Sequence, residues 1–264
     1  MFLDPESCPE LVAPFRDSKT RRGVFPGPQG EDSFLCEGRI IVEGAIAAHR
    51  QGLIRLQVIL GDPAALARLD PPPGVPLVAA SGDWVSELVG FPFHRGLMAT
   101  AAVPPSPPMS QLWACRRLLV LPELVDITNL GLLLRSAATL GVDGVLYGKG
   151  PHVFDQRSVR VSMGTCWAIP VWRAESPLPI LRQWQDQVPG SSIAAAALRP
   201  DSVSSRDWRP AERCALVLGQ EGPGLSDEWL AACDTTVKIP MARGLDSLNV
   251  AAAGAILMHA LVDA

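Results

Sequence analysis

Ala215-Leu216-Val217-Leu218-Gly219-Gln220-Glu221-Gly222-Pro223-Gly224-Leu225-Ser226 is the stretch that decides the fold class. Its first four residues are apolar and read as a short, buried strand. The glycines and proline that follow stop that strand and demand a tight loop. Ser226 then stands where a helix N-cap belongs. Asp227 and Glu228 fill the first turn, where the helix dipole favours acids, so a helix to Ala232 is expected. Thr235–Ile239 reads as the next strand. Strand, loop, helix and strand in that order are the repeating unit of a parallel sheet.

The same alternation extends outward. Leu118–Leu121, Val145–Tyr147, Ala168–Trp172 and Ile193–Leu198 read as strands. Asn129–Leu140 reads as a helix with Asn129 as its N-cap and Gly141 as its stop, Leu178–Gln187 as another, and Ser247–Val262 as the closing helix. Residues 113–264 are therefore expected to be one α/β domain. Before it, Pro104, Pro105, Pro107 and Pro108 mark 103–112 as a semi-rigid linker. Residues 34–102 form a smaller α/β domain by the same reading. Its strands are Phe34–Arg39, Ile54–Leu60, Val75–Ala79 and Leu97–Ala102. Its helices run from Ile40 to Arg50, from Asp62-Pro63 to Leu69, and from a Ser81 cap to Leu88. Five prolines interrupt residues 1–33, which read as an irregular, mobile arm.

Composition narrows the function. The chain has 264 residues, 48% of them hydrophobic and 19% charged, which excludes wholesale disorder. The most apolar run, Val250–Val262, falls short of the about 20 residues a membrane span needs. Asp4 and Glu6 sit where a signal peptide would be basic, so a cytoplasmic protein is expected. A net charge of −4 argues against a tail-driven nucleic-acid binder but not against a local basic face. The six cysteines form no C-x-x-C pair, so buried free thiols are expected and no metal.

Ligands of open parallel sheets bind beyond the carboxyl ends of the strands. Three loops there carry unusual polar residues. Pro122–Thr128 leads into Asn129-Leu130-Gly131-Leu132-Leu133-Leu134-Arg135-Ser136-Ala137. Arg135 is a charge on an apolar helix, either snorkelling at its edge or holding a ligand. The Gly219–Gly224 loop permits close backbone approach but has neither the G-x-G-x-x-G order of dinucleotide folds nor a P-loop ending. Glu221 in it is either a turn residue or a working carboxylate. Ile239-Pro240-Met241 runs through Arg243 into Ser247-Leu248-Asn249-Val250. There Ser247 reads as a cap, and Asn249 as an amide that needs a hydrogen-bonding partner.

Together these loops resemble the SpoU (TrmH-like) branch of the SPOUT superfamily, RNA ribose 2′-O-methyltransferases. The first motif is Asn129-x-Gly131-x-x-x-Arg135-Ser136-Ala137. The second is Leu218 to Leu225, with Gln220 where the family commonly has asparagine. The third joins Ile239-Pro240-Met241 to Ser247-Leu248-Asn249-Val250. Val161-Ser162-Met163-Gly164 and Ile169-Pro170-Val171 also match. The resemblance implies a parallel sheet with a trefoil knot, a homodimer through that region, and S-adenosylmethionine as cofactor. Leu218, Gly219, Gln220, Gly222, Gly224, Ile239, Pro240, Met241 and Leu248 would hold the cofactor. Arg135 would be catalytic, with Asn129, Glu221, Ser247 and Asn249 orienting it and the ribose. An arginine stays protonated at accessible pH, so a cationic role suits it better than that of a base.

Phe34-Leu35-Cys36-Glu37-Gly38 and Gly90-Phe91-x-x-His94-Arg95-Gly96 resemble, more weakly, a ribosomal-protein-like substrate domain found in many family members. Arg16, Lys19, Arg21, Arg22, Arg39, Arg95, Arg157 and Arg160 are the cations expected to be available to RNA, so residues 1–105 would supply most of the affinity. tRNA or rRNA is the expected partner, with no DNA and no membrane. A catalytically silent RNA-binding or ribosome-assembly factor on the same fold is the alternative.

Overall fold

The computed structural model describes residues 2–16, 18, 23–27, 29–94, 96–243 and 247–263. The chain divides into two compact units. One holds Met1–Pro105 with His152–Ala168, the other Ser106–Pro151 with Ile169–Ala264.

In the first unit, β1 (Phe25–Pro26), β2 (Asp32–Glu37), β3 (Arg55–Gly61), β4 (Leu77–Ala79) and β5 (Leu97–Ala102) form a sheet in the order β1-β2-β5-β3-β4. Only the β3–β4 pairing is parallel. Helices α1 (Pro9–Val12), α2 (Arg39–Arg50), α3 (Pro63–Leu66) and α4 (Gly82–Val89) complete its first stretch. Asp62 caps α3, accepting from the Ala64 N–H at 2.9 Å, and Ser81 caps α4, accepting from Trp84 at 3.2 Å. Helix α3 ends at Leu66, short of the expected Leu69.

The expectation of a free arm fails for the described part of residues 1–33. Cys8, Val12, Phe15 and Phe25 are buried in one cluster with Leu35, Val58 and Leu60. Leu3 extends the β4 edge, its N–H donating to the Leu77 carbonyl at 2.8 Å. The prolines misled because they start structure here. Pro5, Pro9 and Pro14 each occupy the first turn of a short helix, where the missing N–H costs nothing. Burying Phe15 alone contributes about 2–3 kcal/mol.

The second unit opens with α5 (Met109–Ala114), a helix that begins inside the stretch 103–112 expected to be linker and runs past its end. Leu112 is fully buried, and the Trp172 indole donates to the Pro107 carbonyl at 3.0 Å. Then come β6 (Arg117–Glu123), α6 (Ile127–Leu140) and β7 (Gly144–Lys149). The chain next enters the first unit through α7 (Gln156–Val161), where Phe154 packs on Phe34 with ring centroids 4.7 Å apart. Residues 152–168, expected within the second domain, thus belong to the first unit's body.

The chain returns through β8 (Val171–Arg173), α8 (Pro177–Asp186), β9 (Ser192–Ala196), β10 (Val203–Ser204), β11 (Cys214–Val217), α9 (Asp227–Ala232), β12 (Thr235–Lys238) and α10 (Val250–Val262). The seven strands run in the order β10-β12-β9-β11-β6-β7-β8, every pairing parallel. Trp172, Leu181, Trp184 and Leu112 share a core with β6 and β11. Helices α6 and α10 pack on one another. Gly254 of α10 allows this contact, since a Cβ there would overlap the Leu133 side chain of α6 and lie 2.9 Å from Leu218 Cδ1.

The first strand, β6, continues to β7 and β8 on one side, and its other neighbour, β11, comes late in the chain. The chain reverses its winding at that junction. This is the topological switch point, where loops part and leave a crevice.

Candidate functional site

Two loops flank the switch point. After β6, Asp126 caps α6 by accepting from the Asn129 N–H at 2.8 Å. Asn129 is therefore the third residue of the helix, not its cap. Its side chain is freed from backbone duty while only 5% of the residue is exposed. After β11, residues 219–225 fold back tightly, the Gly224 N–H donating to the Gln220 carbonyl at 3.1 Å. Gly219 is required there, because a Cβ would sit 2.7 Å from the Leu225 nitrogen.

Glu221 lies in that loop and meets Asn129, whose Nδ2 donates to Glu221 Oε1 at 2.9 Å. The third partner is Asn249. It is the N-cap of α10, its Oδ1 accepting from Ala251 at 3.0 Å and Ala252 at 3.3 Å. The cap is thus Asn249 rather than Ser247, and the helix starts three residues later than expected. The Asn249 Nδ2 donates to Glu221 Oε1 at 2.8 Å and to Asn129 Oδ1 at 2.9 Å. Three side chains from three distant segments thus close a ring. Its two amides come from the first turn of α6 and the N-cap of α10, and both donate to its single carboxylate.

Beside the ring opens a cavity of about 470 Å³, within the range of small-molecule sites. Every residue expected to hold a cofactor lines it except Pro240, and Glu221 and Ser247 line it too. Its wall also takes Arg199 and Lys238, which follow β9 and end β12. Sequence reading passed over both, although the carboxyl ends of those strands are where such residues belong. The wall fits a nucleoside-like ligand. The close backbone approach at Gly219 leaves main-chain donors and acceptors, not side chains, beside the space.

Arg135 does not join the ring. It lies six residues along α6 from Asn129, about 9 Å of rise, on an exposed face. It makes no hydrogen bond or ion pair with the described residues. Of the other cations expected to meet RNA, Arg157 is exposed, Arg39 pairs with Glu43 at 3.3 Å, and Arg160 lies 3.6 Å from Glu37. Lys19, Arg21, Arg22 and Arg95 lie outside the described residues, and His94 is exposed. No helix among the described residues is long and apolar enough to cross a membrane. No group of three or more metal-ligating side chains is found among them.

Residues 116–259 match the SpoU rRNA Methylase family. An uncharacterised tRNA/rRNA methyltransferase of Mycobacterium tuberculosis is 34% identical over 241 residues, covering 88% of this chain and 81% of that protein. The 23S rRNA (guanosine(2553)-2′-O)-methyltransferase of Bacillus subtilis is 27% identical over 233 residues, covering 87% of this chain and 88% of its own length. Among solved structures, the SpoU methyltransferase AviRb of Streptomyces viridochromogenes, in complex with AdoMet, superposes with a TM-score of 0.72 at 23% identity, covering 88% of this chain and 90% of that one. A parallel sheet with its polar ring at the switch point, a family match over more than half of the chain and a relative alike over most of its length lead to one assignment: the chain belongs to the SpoU rRNA methylase family.

Proposed function

We propose that this chain is an S-adenosylmethionine-dependent RNA methyltransferase that modifies a ribose 2′-hydroxyl of tRNA or rRNA. The observation that carries this reading is the Asn129–Glu221–Asn249 ring beside a glycine-walled cavity. Family membership and relatives named as RNA 2′-O-methyltransferases support it.

S-adenosylmethionine, when bound, supplies a methyl group already activated on a sulfonium, so the protein's task is positioning and charge stabilisation. Backbone groups of Leu218, Gly219, Gln220, Gly222 and Gly224 would hold it, with Ile239, Pro240, Met241 and Leu248 as the apolar wall. Glu221, fixed by two amides, and Ser247 orient the ribose. Arg135 stays cationic, grips an RNA phosphate and stabilises the developing oxyanion. Its exposure suits contact with RNA. Only the 2′-hydroxyl separates RNA from DNA at such a site, so DNA is not a substrate.

A cytoplasmic homodimer and the knotted path implied by the family are part of the same proposal. Leu132 of α6 and Ile256 of α10, 37% and 44% exposed, present apolar surface on two helices that pack together. A second copy would cover it, and sedimentation of the purified protein tests this.

The decisive experiment maps 2′-O-methyl marks in tRNA and rRNA from a deletion strain, then restores the missing mark with purified protein and S-adenosylmethionine. One site should lose and regain its mark. RNA binding without any transfer would instead identify a silent RNA-binding factor.

A further inference from the structure

The turn after β9 is built with more care than a surface turn needs. The Arg199 N–H donates to Ser202 Oγ at 3.2 Å, and the Ser202 N–H returns to the Arg199 carbonyl at 3.2 Å. Ser202 is buried, and its hydroxyl donates to the Ala197 carbonyl at 2.9 Å. Lys238 spends its ammonium on the same turn, donating to the Arg199 carbonyl at 3.1 Å and the Pro200 carbonyl at 3.2 Å. Asp201 takes the Nε edge of the Arg199 guanidinium at 3.3 Å. The backbone of Arg199 is therefore held by the turn and its inner edge leans on Asp201, while its two Nη atoms make no hydrogen bond with the described residues.

This turn lines the cavity. Among the described residues that line it, the cations are Arg199 and Lys238 and the acid is Glu221; Arg243, two residues beyond Met241, is exposed and does not line the cavity. Lys238 is committed to two carbonyls and Glu221 to two amides. The Nη edge of Arg199 is the charged group left for a ligand. Resting on the cofactor reading above, we infer that this edge binds the α-carboxylate at the amino-acid end of the methyl donor. A guanidinium fork matches a carboxylate in two parallel hydrogen bonds, and the held backbone of the turn keeps the base of that side chain beside the cavity. Among the described residues the rest of the wall is apolar or main chain apart from the Gln220 amide and the Ser247 hydroxyl, neither of which carries a charge to match that carboxylate. Arg199 is thus a specificity residue for the amino-acid tail, and Lys238 and Ser202 are the residues that position it.

Calorimetric titration of the full-length protein with two probes tests this. S-adenosylhomocysteine carries the amino-acid tail, and 5′-methylthioadenosine lacks it. Arg199→Ala should weaken the first about tenfold and leave the second unchanged, with Arg199→Lys in between. Equal weakening of both probes would show a merely structural turn. Unchanged affinity for S-adenosylhomocysteine, with RNA binding weakened instead, would hand Arg199 to an RNA phosphate. Either result overturns the inference while leaving the cofactor site standing. Wild-type protein that binds neither probe would overturn the cofactor reading itself.

Discussion

The two units use their polar side chains differently. In the first, carboxylates clasp neighbouring segments of the fold. Glu31 gathers Arg55 and the Gln57 amide, the latter at 2.6 Å, beside the β1–β2 edge. Asp155 accepts from the Gly23 N–H at 2.6 Å, and Glu37 from Gln156 at 3.0 Å. These bonds tie the N-terminal segment and residues 152–168 to the sheet. The second unit has such clasps too, Asp143 accepting from the Arg117 N–H at 2.8 Å and Asp234 from the Ile193 N–H at 2.7 Å, but it adds a convergence at the switch point, where Asn129, Glu221 and Asn249 satisfy one another. The clasps fasten segments of the fold; the ring gathers polar groups beyond the carboxyl ends of the parallel strands, where a reaction site can grow.

Removing the cation proposed to act beside the convergent site should have the largest effect. Arg135→Ala should lower methyl transfer by about 100- to 1,000-fold, as losing one transition-state charge contact does. Melting temperature and S-adenosylhomocysteine affinity should hold, because the side chain is exposed and makes no hydrogen bond or ion pair with the described residues. Full activity in the purified variant would remove Arg135 from the chemistry.

Phe15→Ala probes the clasped unit. Truncating a fully buried phenylalanine should cost about 3–5 kcal/mol in denaturant unfolding, a loss a mobile arm would not show. Asn249 tests both modes in one residue. Asn249→Ala removes a cap and should cost about 1–2 kcal/mol, with turnover also falling. Asn249→Asp keeps the cap acceptor but loses the amide donor and faces Glu221 with a like charge. It should retain the stability of α10 and still lose turnover. If both variants lose stability alike with activity per folded molecule intact, Asn249 is structural.

The smallest effect concerns Glu31. Its own backbone N–H, then the Gln57 amide and the Arg55 guanidinium, hold its carboxyl down at about 2, against an ordinary 4.5. The stability this contributes is present above the unfolded value and lost as pH falls from about 4.5 through 2. The stability gap between wild type and Glu31→Gln should therefore close over that window in acid titrations of the melting temperature. A gap that stays constant would show that the clasp is not electrostatic.

The parallel sheet was legible because each strand is an apolar run with a turn signal behind it, and Leu97–Ala102 matches its expected bounds. The ring was not legible as a ring. Its members stand 92 and 120 residues apart, and only folding shows that their hydrogen bonds close on each other. Two polar residues three positions apart, Asp126 and Asn129, competed for one cap. Local pattern favoured the residue nearer the apolar run. Tertiary demand for the Asn129 amide decided otherwise. Helix α5 was hidden by prolines that precede it and do not break it.

Residues 152–168 also bear on how far the protein is modular. Phe154 and Val159 are buried with the first unit, yet strands of the second unit flank the segment on both sides in the chain. Neither unit is a contiguous piece of gene. Removing residues 1–105 would strip the sheet from under this segment and expose its apolar side, so a fragment starting at residue 106 is a poor vehicle for asking what the second unit does alone. A chimera that trades the first 105 residues between relatives carries a mismatched insert. The segment has to travel with them, and recombination within the family is constrained to cassettes that move both pieces together.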